Sequence, residues 1–229
     1  MQEYKTKIRE KRHLTLKTIE ITVDLIAPTD ISFTPGQYVE LLIGKEWKPY
    51  TICSLPESNN SLTFCIGLYD KGLASDFFRE VKVGREITMR GPAGFFTVTD
   101  LAKNYLFVAT GVGIAPFVSI VPNLLRKEFV GRSQLLFGVR HEEDVFYFDK
   151  FTHLKSLYDN FIFTPMLSQP KSHWPGEVGR VTTYLEVAYD YLKDYEFYIC
   201  GATEMVQDAR NVLLKKGHSE DRIKTEIFV

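Results

Sequence analysis

The most restrictive feature of this sequence is an uncharged, apolar stretch near the middle of the chain, YLFVATGVGIAPFVSIVPNLL at Tyr105–Leu125. It is long enough to suggest a membrane span, but Gly111, Gly113, Pro116 and Pro122 interrupt it, and lipid could not satisfy the backbone groups that such residues free. A buried strand, a tight turn and a helix explain the same residues better. The stretch therefore predicts a strand–turn–helix unit inside a globular domain, with no membrane association.

The rest of the second half repeats this alternation. The strand-like segments are NYLFVAT, SQLLFGV, FIFTPML, EFYICG and RIKTEIFV, and the helix-like segments are PFVSIVPNLLRKEF, FYFDKFTHLKSLY, GRVTTYLEVAYDYL and TEMVQDARNVLLKKG. Apolar strands that alternate with amphipathic helices are typical of a parallel sheet covered on both faces. Ligands of such sheets bind beyond the carboxyl ends of the strands, so functional residues are expected there.

The first half has a different pattern, with strands, turn residues and one short helix. Strands are predicted at Lys17–Ile26, in PGQYVELLIG, at Ser61–Tyr69, and in REITMRGPAGFF, where the strand is expected to end at the turn signal Gly91–Pro92. The segment LASDFFREV, introduced by Gly72, predicts the helix. Together these segments predict a small antiparallel barrel ahead of the parallel sheet.

Composition excludes several classes of function. Hydrophobic residues make up 45% of the chain and charged residues 25%, as in folded globular proteins, and the net charge of −1 gives no general attraction to nucleic acid. The three cysteines, Cys53, Cys65 and Cys200, are too few and too scattered for an iron–sulfur cluster or a cysteine zinc site, and no metal is expected. Because the polar N-terminus lacks a signal-peptide core, the sequence predicts a cytoplasmic protein.

Three segments could bind a ligand. The loop Ala109–Pro116 joins a strand to a helix, and its glycines would let the backbone approach a phosphate, although an ordinary tight turn explains the same residues. Cys200 and Gly201 end another strand and should face the same crevice, although a lone cysteine is usually a small buried side chain. Lys71 and the amides of Gly72–Ser75 suit an anion, or else belong to an ordinary capped helix.

A fourth segment, Lys48–Thr51, fits either a sheet edge near a turn or a surface shaped for a flat ring and a phosphate. In order, the barrel pattern, KPYT, GLAS, TGVGIAP, FGVR, ICGATEM and EIF resemble the ferredoxin–NADP reductase superfamily over essentially the whole chain. The family's flavin motif Arg-x-Tyr-Ser/Thr matches Lys48–Thr51, and its nucleotide motif Gly-Thr-Gly-x-x-Pro matches Gly111–Pro116. Lys48 replaces an arginine, which removes a bidentate grip on a pyrophosphate, and Val112 replaces a threonine.

The resemblance implies an N-terminal, six-stranded antiparallel β-barrel domain that binds FAD at residues 1–99, and a doubly wound parallel α/β domain that binds NAD(P) at residues 100–229. Tyr50 would pack against the flavin ring and Lys48 would face the pyrophosphate. Tyr69 would stack on adenine, or else be a barrel-edge aromatic. The residues expected to contact the cofactors are Lys48, Pro49, Tyr50, Thr51, Cys65, Ile66, Tyr69, Lys71, Gly72, Leu73, Ala74, Ser75, Thr110, Gly111, Gly113, Pro116, Arg140, Arg180, Cys200, Gly201, Met205 and Phe228.

Four residues match the family's positions around the hydride-transfer point. The resemblance implies that the Thr51 hydroxyl bonds flavin N5, that Cys200 shapes the nicotinamide pocket, and that Glu226 orients groups or relays protons. Phe228 resembles the terminal aromatic that covers the flavin and must move aside for nicotinamide. The alternative for Phe228 is a core side chain that ends a strand.

The segment FGVRHEED gives a mixed signal for the choice of nucleotide. Acidic side chains at this place usually bond the ribose hydroxyls of NADH, whereas arginine accommodates the extra phosphate of NADPH. Arg140 precedes Glu142, Glu143 and Asp144. The pair Arg140 and Arg180 resembles bacterial NADPH-dependent members, so NADPH is predicted, with NADH as the alternative.

The resemblance therefore implies an FAD-dependent oxidoreductase that moves a hydride between NAD(P)H and flavin and passes electrons to a small carrier such as ferredoxin or flavodoxin. Two alternatives stay open, a flavin reductase that uses flavin as a diffusing substrate and a non-catalytic electron-transfer subunit. The sequence leaves open the natural acceptor, the tightness of flavin binding, the direction of electron flow and the oligomeric state.

Overall fold

A computed structural model describes residues 1–187 and 192–228 of the chain. By their internal contacts, the residues form two compact units. The first unit consists of Met1–Val98 and Ala115–Asn123, and the second consists of Thr99–Ile114 and Leu124–Val229. Among the described residues, no helix is long and apolar enough to cross a membrane.

The first unit is a curled antiparallel sheet. Its elements are β1 (Gln2–Thr15), β2 (Thr18–Ala27), β3 (Tyr38–Ile43), β4 (Glu46–Thr51), β5 (Ser61–Gly67), α1 (Leu73–Glu80) and β6 (Glu86–Ala93). The six strands follow the order β4-β3-β6-β1-β2-β5. An antiparallel bridge between Ile52, next to the end of β4, and Phe64 on β5 brings the two edges together. The predicted six-stranded antiparallel architecture is confirmed.

The long strand β1 was not predicted from the sequence. Tyr4, Thr6 and Ile8 are buried and alternate with the exposed Lys5 and Lys7, so the strand has the two-residue period of a half-buried sheet. Thr6 is polar, but its hydroxyl donates to the carbonyl of Ile87 at 2.7 Å, which satisfies it inside the barrel. The strand was not recognised from the sequence because Thr6 interrupts the apolar pattern of the inner face and because the outer face is strongly charged.

The strand β6 continues through the predicted stop at Gly91–Pro92. Arg90 pairs with Glu40 and Ala93 pairs with Tyr38, so two residues of β6 oppose one residue of β3. This arrangement is a β-bulge, and a bulge accommodates proline because the extra residue need not donate to the ladder. The prediction that the strand ends there was therefore wrong.

The second unit is a parallel sheet with helices. Its strands are β7 (Asn104–Thr110), β8 (Ser133–Val139), β9 (Phe161–Leu167), β10 (Glu177–Val178), β11 (Tyr195–Gly201) and β12 (Ile223–Ile227), and its helices are α3 (Phe148–Leu157), α4 (Val181–Val187) and α5 (Thr203–Lys215). The strand order is β10-β9-β8-β7-β11-β12, and every pairing is parallel. This confirms the predicted doubly wound domain. The short β10 was not predicted, and residues 188–191 of the helix predicted over 179–192 lie outside the described residues.

The connection between β7 and the rest of the sheet determines where a ligand can bind. From β7 the chain proceeds to β8, β9 and β10 on one side, and it then returns to β11 and β12 on the other side. The order therefore reverses at β7, and the carboxyl end of β7 is a topological switch point. The turn Gly111–Ile114 follows directly and leads into α2 (Ala115–Leu125).

Candidate functional site

The glycine turn after β7 lies against the end of β11. A Cβ atom on Gly113 would lie 2.3 Å from the carbonyl oxygen of Cys200, so only glycine lets the turn approach this closely. Gly111 has φ +52°, and a Cβ atom there would meet no atom within 4 Å. The turn is thus packed on its Gly113 side and open on its Gly111 side, where backbone could contact a ligand.

A buried polar atom lies beside this turn. The Thr110 hydroxyl oxygen is buried and has no hydrogen-bond partner among the described residues. Gly201 has φ +150°, and a Cβ atom there would lie 2.4 Å from that oxygen and 2.8 Å from the Met205 methyl carbon. Since buried hydroxyls are nearly always hydrogen-bonded, the Thr110 hydroxyl suits a hydrogen bond to a ligand bound at the turn. The structure thus brings together the predicted residues Thr110, Gly111, Gly113, Gly201 and Met205.

Cys200 and Glu226 are paired residues on β11 and β12. Cys200 is fully buried, and burial together with the nearby Glu226 raises the pKa of its thiol well above the ordinary value. The thiol is therefore neutral at physiological pH and suits packing rather than nucleophilic attack. Burial raises the pKa of Glu226 to about 7, and its Oε2 atom is buried with no partner among the described residues. Glu226 can therefore hold or release a proton near neutral pH.

Phe228 follows the last residue of β12. Its backbone N–H donates to the carbonyl of Gly201 at 2.9 Å, so its backbone is held beside the carboxyl end of β11. Phe228 is half-buried. Phe228 is therefore not a fully buried core side chain, and its gating role stays a prediction.

The two predicted arginines lie on either side of the end of β9. Arg140 directly follows β8, and Arg180 lies two residues after β10. Ser168 donates its N–H to the carbonyl of Val139 at 3.0 Å, and Gly179 donates its N–H to the carbonyl of Leu167 at 2.9 Å. Both arginines are exposed, and within the described residues neither side chain forms an ion pair. One strand therefore separates the two arginines at this edge of the sheet.

The acidic residues after Arg140 are engaged elsewhere. Glu142 accepts hydrogen bonds from the segment after β9, and Glu143 forms an ion pair with Lys171. Asp144 accepts from the backbone N–H of His141 at 3.2 Å. In the structure these carboxylates therefore make contacts within and between the loops.

Ser168 and Gln169 were missed from the sequence as candidates. They follow β9 between the two arginines, and Gln169 donates its N–H to the carbonyl of Arg140 at 2.9 Å. The polar pair after the apolar segment FIFTPML was a detectable signal, because polar residues at the carboxyl end of a parallel strand often face a ligand.

In the first unit, the predicted flavin motif lies on the edge strand β4. Thr51 is buried, and Tyr50 is half-buried against Phe78, with ring centroids 5.4 Å apart and an interplanar angle of 82°. Burial, and then the nearby Tyr69, raises the pKa of Tyr50 well above its ordinary value. Lys48 Nζ pairs with Glu46 Oε2 at 2.6 Å on an exposed surface, and Pro49 is also exposed.

The segment after β5 contributes the other candidates of this unit. The side chains of Cys65 and Ile66 are buried, so only their backbone could meet a ligand. Tyr69 is 51% exposed, and its N–H donates to the Ser75 hydroxyl at 2.9 Å. In that bond the buried Ser75 hydroxyl is the acceptor, so Ser75 can offer an anion its backbone N–H and its O–H.

The start of α1 has the geometry of an anion site. Gly72 has φ +139°, and the first bond of the helix runs from Asp76 N–H to the carbonyl of Gly72 at 3.0 Å. The amides of Leu73, Ala74 and Ser75 therefore precede the helical ladder and suit a pyrophosphate, with the exposed Lys71 beside them in sequence. Pro116 lies in α2, where its carbonyl accepts from the Ser119 hydroxyl at 3.2 Å. Both units thus fit their expected nucleotide cofactors.

Comparison with known protein families agrees with this division. A family described as the oxidoreductase FAD-binding domain matches residues 5–98, and one described as the oxidoreductase NAD-binding domain matches residues 107–211. Similar curated proteins include the anthranilate 1,2-dioxygenase electron transfer component of Acinetobacter baylyi, which is 25% identical over 94% of this chain and 68% of its own length. The toluate 1,2-dioxygenase electron transfer component of Pseudomonas putida is 27% identical over 93% of this chain and 64% of its own length. This chain thus spans about two thirds of these relatives.

Solved structures give the same picture over the full chain. A ferredoxin NADP+ reductase from Neisseria gonorrhoeae with bound FAD and NADP has a TM-score of 0.84 and 25% identity, and the match covers 99% of both chains. An Amycolatopsis cytochrome P450 reductase has a TM-score of 0.90 at 22% identity, covering 99% of this chain and 70% of that one. The second match shows the fold alone.

Proposed function

This chain belongs to the ferredoxin–NADP reductase superfamily, and we propose that it is an NADPH-dependent flavoenzyme that delivers electrons to a small carrier protein. Bound FAD would accept a hydride from the nicotinamide and release the electrons singly or as a pair. The observation that carries the proposal is a glycine turn at the switch point of the sheet with two buried polar atoms, Thr110 Oγ1 and Glu226 Oε2, that have no hydrogen-bond partner among the described residues.

The second unit would hold the nucleotide. The open side of the turn at Gly111 receives the pyrophosphate, and the Thr110 hydroxyl bonds to the bound nucleotide. Cys200 shapes the nicotinamide pocket as a neutral thiol, because its pKa is raised well above the ordinary value. Glu226 orients the amide of the nicotinamide or relays a proton, since its pKa of about 7 permits both protonation states near neutrality.

The first unit would hold FAD. Tyr50 packs against the flavin ring, and the Thr51 hydroxyl bonds flavin N5. The amides at the start of α1 bind the pyrophosphate, which offsets the weaker point charge of Lys48 where relatives carry arginine. Tyr69, half exposed beside Tyr50, stacks on adenine.

NADPH is the favoured nucleotide. Arg140 and Arg180 flank the end of β9, and the acidic residues that could bind ribose hydroxyls are engaged in loop contacts. We expect kcat/KM for NADPH to exceed that for NADH, and Arg140→Ala to remove most of the difference. Equal values in the original protein, or an NADH preference that survives Arg140→Ala, would contradict this choice.

The proposed acceptor is a ferredoxin or flavodoxin. Both curated relatives are electron transfer components of dioxygenases, and the Neisseria homologue is a ferredoxin reductase. The location in the cytoplasm and the domain boundary near residue 99 stay predictions.

Two measurements on the purified protein test the reaction. A flavin absorption band that copurifies with the chain, and NADPH-dependent reduction of ferricyanide, are both expected. A colourless protein that reduces only added flavin would favour the diffusing-substrate alternative. A yellow protein that oxidises neither nucleotide would favour the non-catalytic subunit.

A further inference from the structure

Two segments meet beyond the end of β8. One is the arginine segment, Arg140–Asp144, and the other is the serine segment, Ser168–Ser172. The Gln169 N–H donates to the carbonyl of Arg140 at 2.9 Å, and the carbonyl of Gln169 contacts Nδ1 of His141. Gln169 therefore holds the arginine segment at two points, the carbonyl of Arg140 and the side chain of His141.

The carboxylate of Glu142 joins the arginine segment to the end of the serine segment, at Lys171 and Ser172. Glu142 Oε1 accepts from the N–H of Ser172 at 2.9 Å, from the hydroxyl of Ser172 at 2.9 Å, and from the N–H of Lys171 at 3.1 Å. Hydrogen bonds from its own backbone N–H, and from those of Ser172 and Lys171, lower the pKa of Glu142 to about 2. The side chain is therefore ionised throughout the physiological range.

We propose that Glu142 is a positioning residue for recognition of the nucleotide's 2′-phosphate, that it acts by holding the serine segment against Arg140, and that it is not a ligand of the ribose. The inference rests on the proposed function, because it concerns the same nucleotide site. In nucleotide-binding sheets an acidic residue after the second strand commonly bonds the ribose hydroxyls. Here that carboxylate already accepts hydrogen bonds from the N–H groups of Lys171 and Ser172 and from the Ser172 hydroxyl.

Loss of this carboxylate should affect one part of the nucleotide selectively. Without it, Lys171 and Ser172 lose their hydrogen bonds to the arginine segment, and the exposed Glu143–Lys171 ion pair is left to hold that end. The backbone of Arg140 then loses part of its support. The guanidinium then spends less time in the orientation that binds the 2′-phosphate, while the glycine turn and the rest of the nucleotide site are unchanged. A ligand without the 2′-phosphate should therefore bind as before.

Calorimetric titration with adenosine 2′,5′-bisphosphate and with 5′-AMP separates these roles. Glu142→Gln keeps the size of the side chain but replaces one acceptor oxygen with an amide donor that faces other donors. We expect Kd for the bisphosphate to rise about tenfold, the size of one weakened charge-assisted hydrogen bond, with Kd for 5′-AMP unchanged. Ser172→Ala, which removes one of the donors, should have a smaller effect of the same kind.

Glu143→Gln tests the second contact between the two segments, since Glu143 forms an exposed ion pair with the side chain of Lys171. Exposed ion pairs contribute little, so this variant should raise Kd for the bisphosphate much less than Glu142→Gln does, and it should leave Kd for 5′-AMP unchanged. Steady-state assays of Glu142→Gln should show a raised KM for NADPH at unchanged kcat.

Four results would overturn the inference. For Glu142→Gln they are an unchanged Kd for the bisphosphate, an equal rise in Kd for both ligands, and a rise in Kd for 5′-AMP alone. The fourth is an unsubstituted protein that binds the bisphosphate no better than 5′-AMP. Failure of the original protein to oxidise NADPH would instead count against the proposed reaction, since the binding titration needs no turnover.

Discussion

At the scale of single residues, the chemistry of the site depends on burial more than on residue type. Cys200 and Glu226 were selected by motif, but a sequence does not reveal that one is a fully buried neutral thiol and the other a carboxyl with a pKa near 7. The contacts of Glu142 and Ser168 were likewise hidden, because they join segments that are distant along the chain. Motif spacing can identify candidates, and tertiary contacts decide what each one does.

The raised pKa of Glu226 predicts a pH-dependent stability. In the folded protein this carboxyl keeps its proton up to about pH 7, whereas the unfolded chain releases it near 4.5, so the unfolded state binds fewer protons between these values. Stability should therefore fall as the pH rises from 5 to 8. Glu226→Gln should remove that part of the fall, about 1–2 kcal/mol after allowance for partial solvent screening.

Urea unfolding at pH 5 and at pH 8, without added nucleotide, measures this difference. If the original protein and Glu226→Gln lose stability in parallel over this range, Glu226 does not carry the raised pKa.

The position of Phe228 predicts a test of the gate. If its ring covers the flavin, Phe228→Ser should tighten nicotinamide binding and weaken discrimination against the nucleotide that lacks the 2′-phosphate. Stacking of this kind contributes roughly 0.5–1.5 kcal/mol beyond area burial. A ring that serves as a gate contributes little to the core, so Tm should be nearly unchanged. A variant that unfolds several degrees earlier with unaltered nucleotide preference would show a purely structural role.

At the scale of elements, the strands and helices with strong periodicity were predictable and the irregular ones were not. Apolar segments such as β7 and β8 bury nearly all their residues, so composition alone identifies them. β1 escaped because Thr6 replaces an apolar residue on its inner face, and the continuation of β6 escaped because a bulge accommodates Pro92. Both misses come from pairing with neighbouring strands, which local sequence does not encode.

The two glycines of the turn should differ in how much stability the protein loses when each is replaced by alanine. Gly113→Ala would place a methyl group 2.3 Å from the carbonyl oxygen of Cys200, so the turn must move off β11, at a cost of about 2–3 kcal/mol. In Gly111→Ala the new Cβ would meet no neighbouring atom. The variant should lose only about 1 kcal/mol of stability, because alanine disfavours the left-handed backbone conformation at this position. Equilibrium unfolding of both variants gives the comparison, and a greater loss for Gly111→Ala would contradict the packing argument.

At the scale of the whole molecule, the order of the two architectures was predictable because each has its own sequence period. The grouping of Ala115–Asn123 with the first unit could not be predicted from the sequence, since it depends on tertiary contacts. Within that unit the Ser119 hydroxyl donates to the carbonyl of Ile52 at 2.9 Å. Each unit also has its own hydrophobic core, the first including Phe64 and the second including Phe197.

Separate cores predict that each cofactor stabilises the unit that binds it. The chain has two tryptophans, with Trp47 in the first unit and Trp174 in the second, so Trp174→Phe leaves a reporter on the first unit and Trp47→Phe leaves one on the second. A ligand at a hundred times its Kd stabilises the folded form by about 2.7 kcal/mol. In fluorescence-monitored thermal unfolding, added FAD should raise the Trp47 transition, and adenosine 2′,5′-bisphosphate should raise the Trp174 transition. Equal shifts of both reporters with either ligand would show that the two cores unfold together and would contradict the prediction.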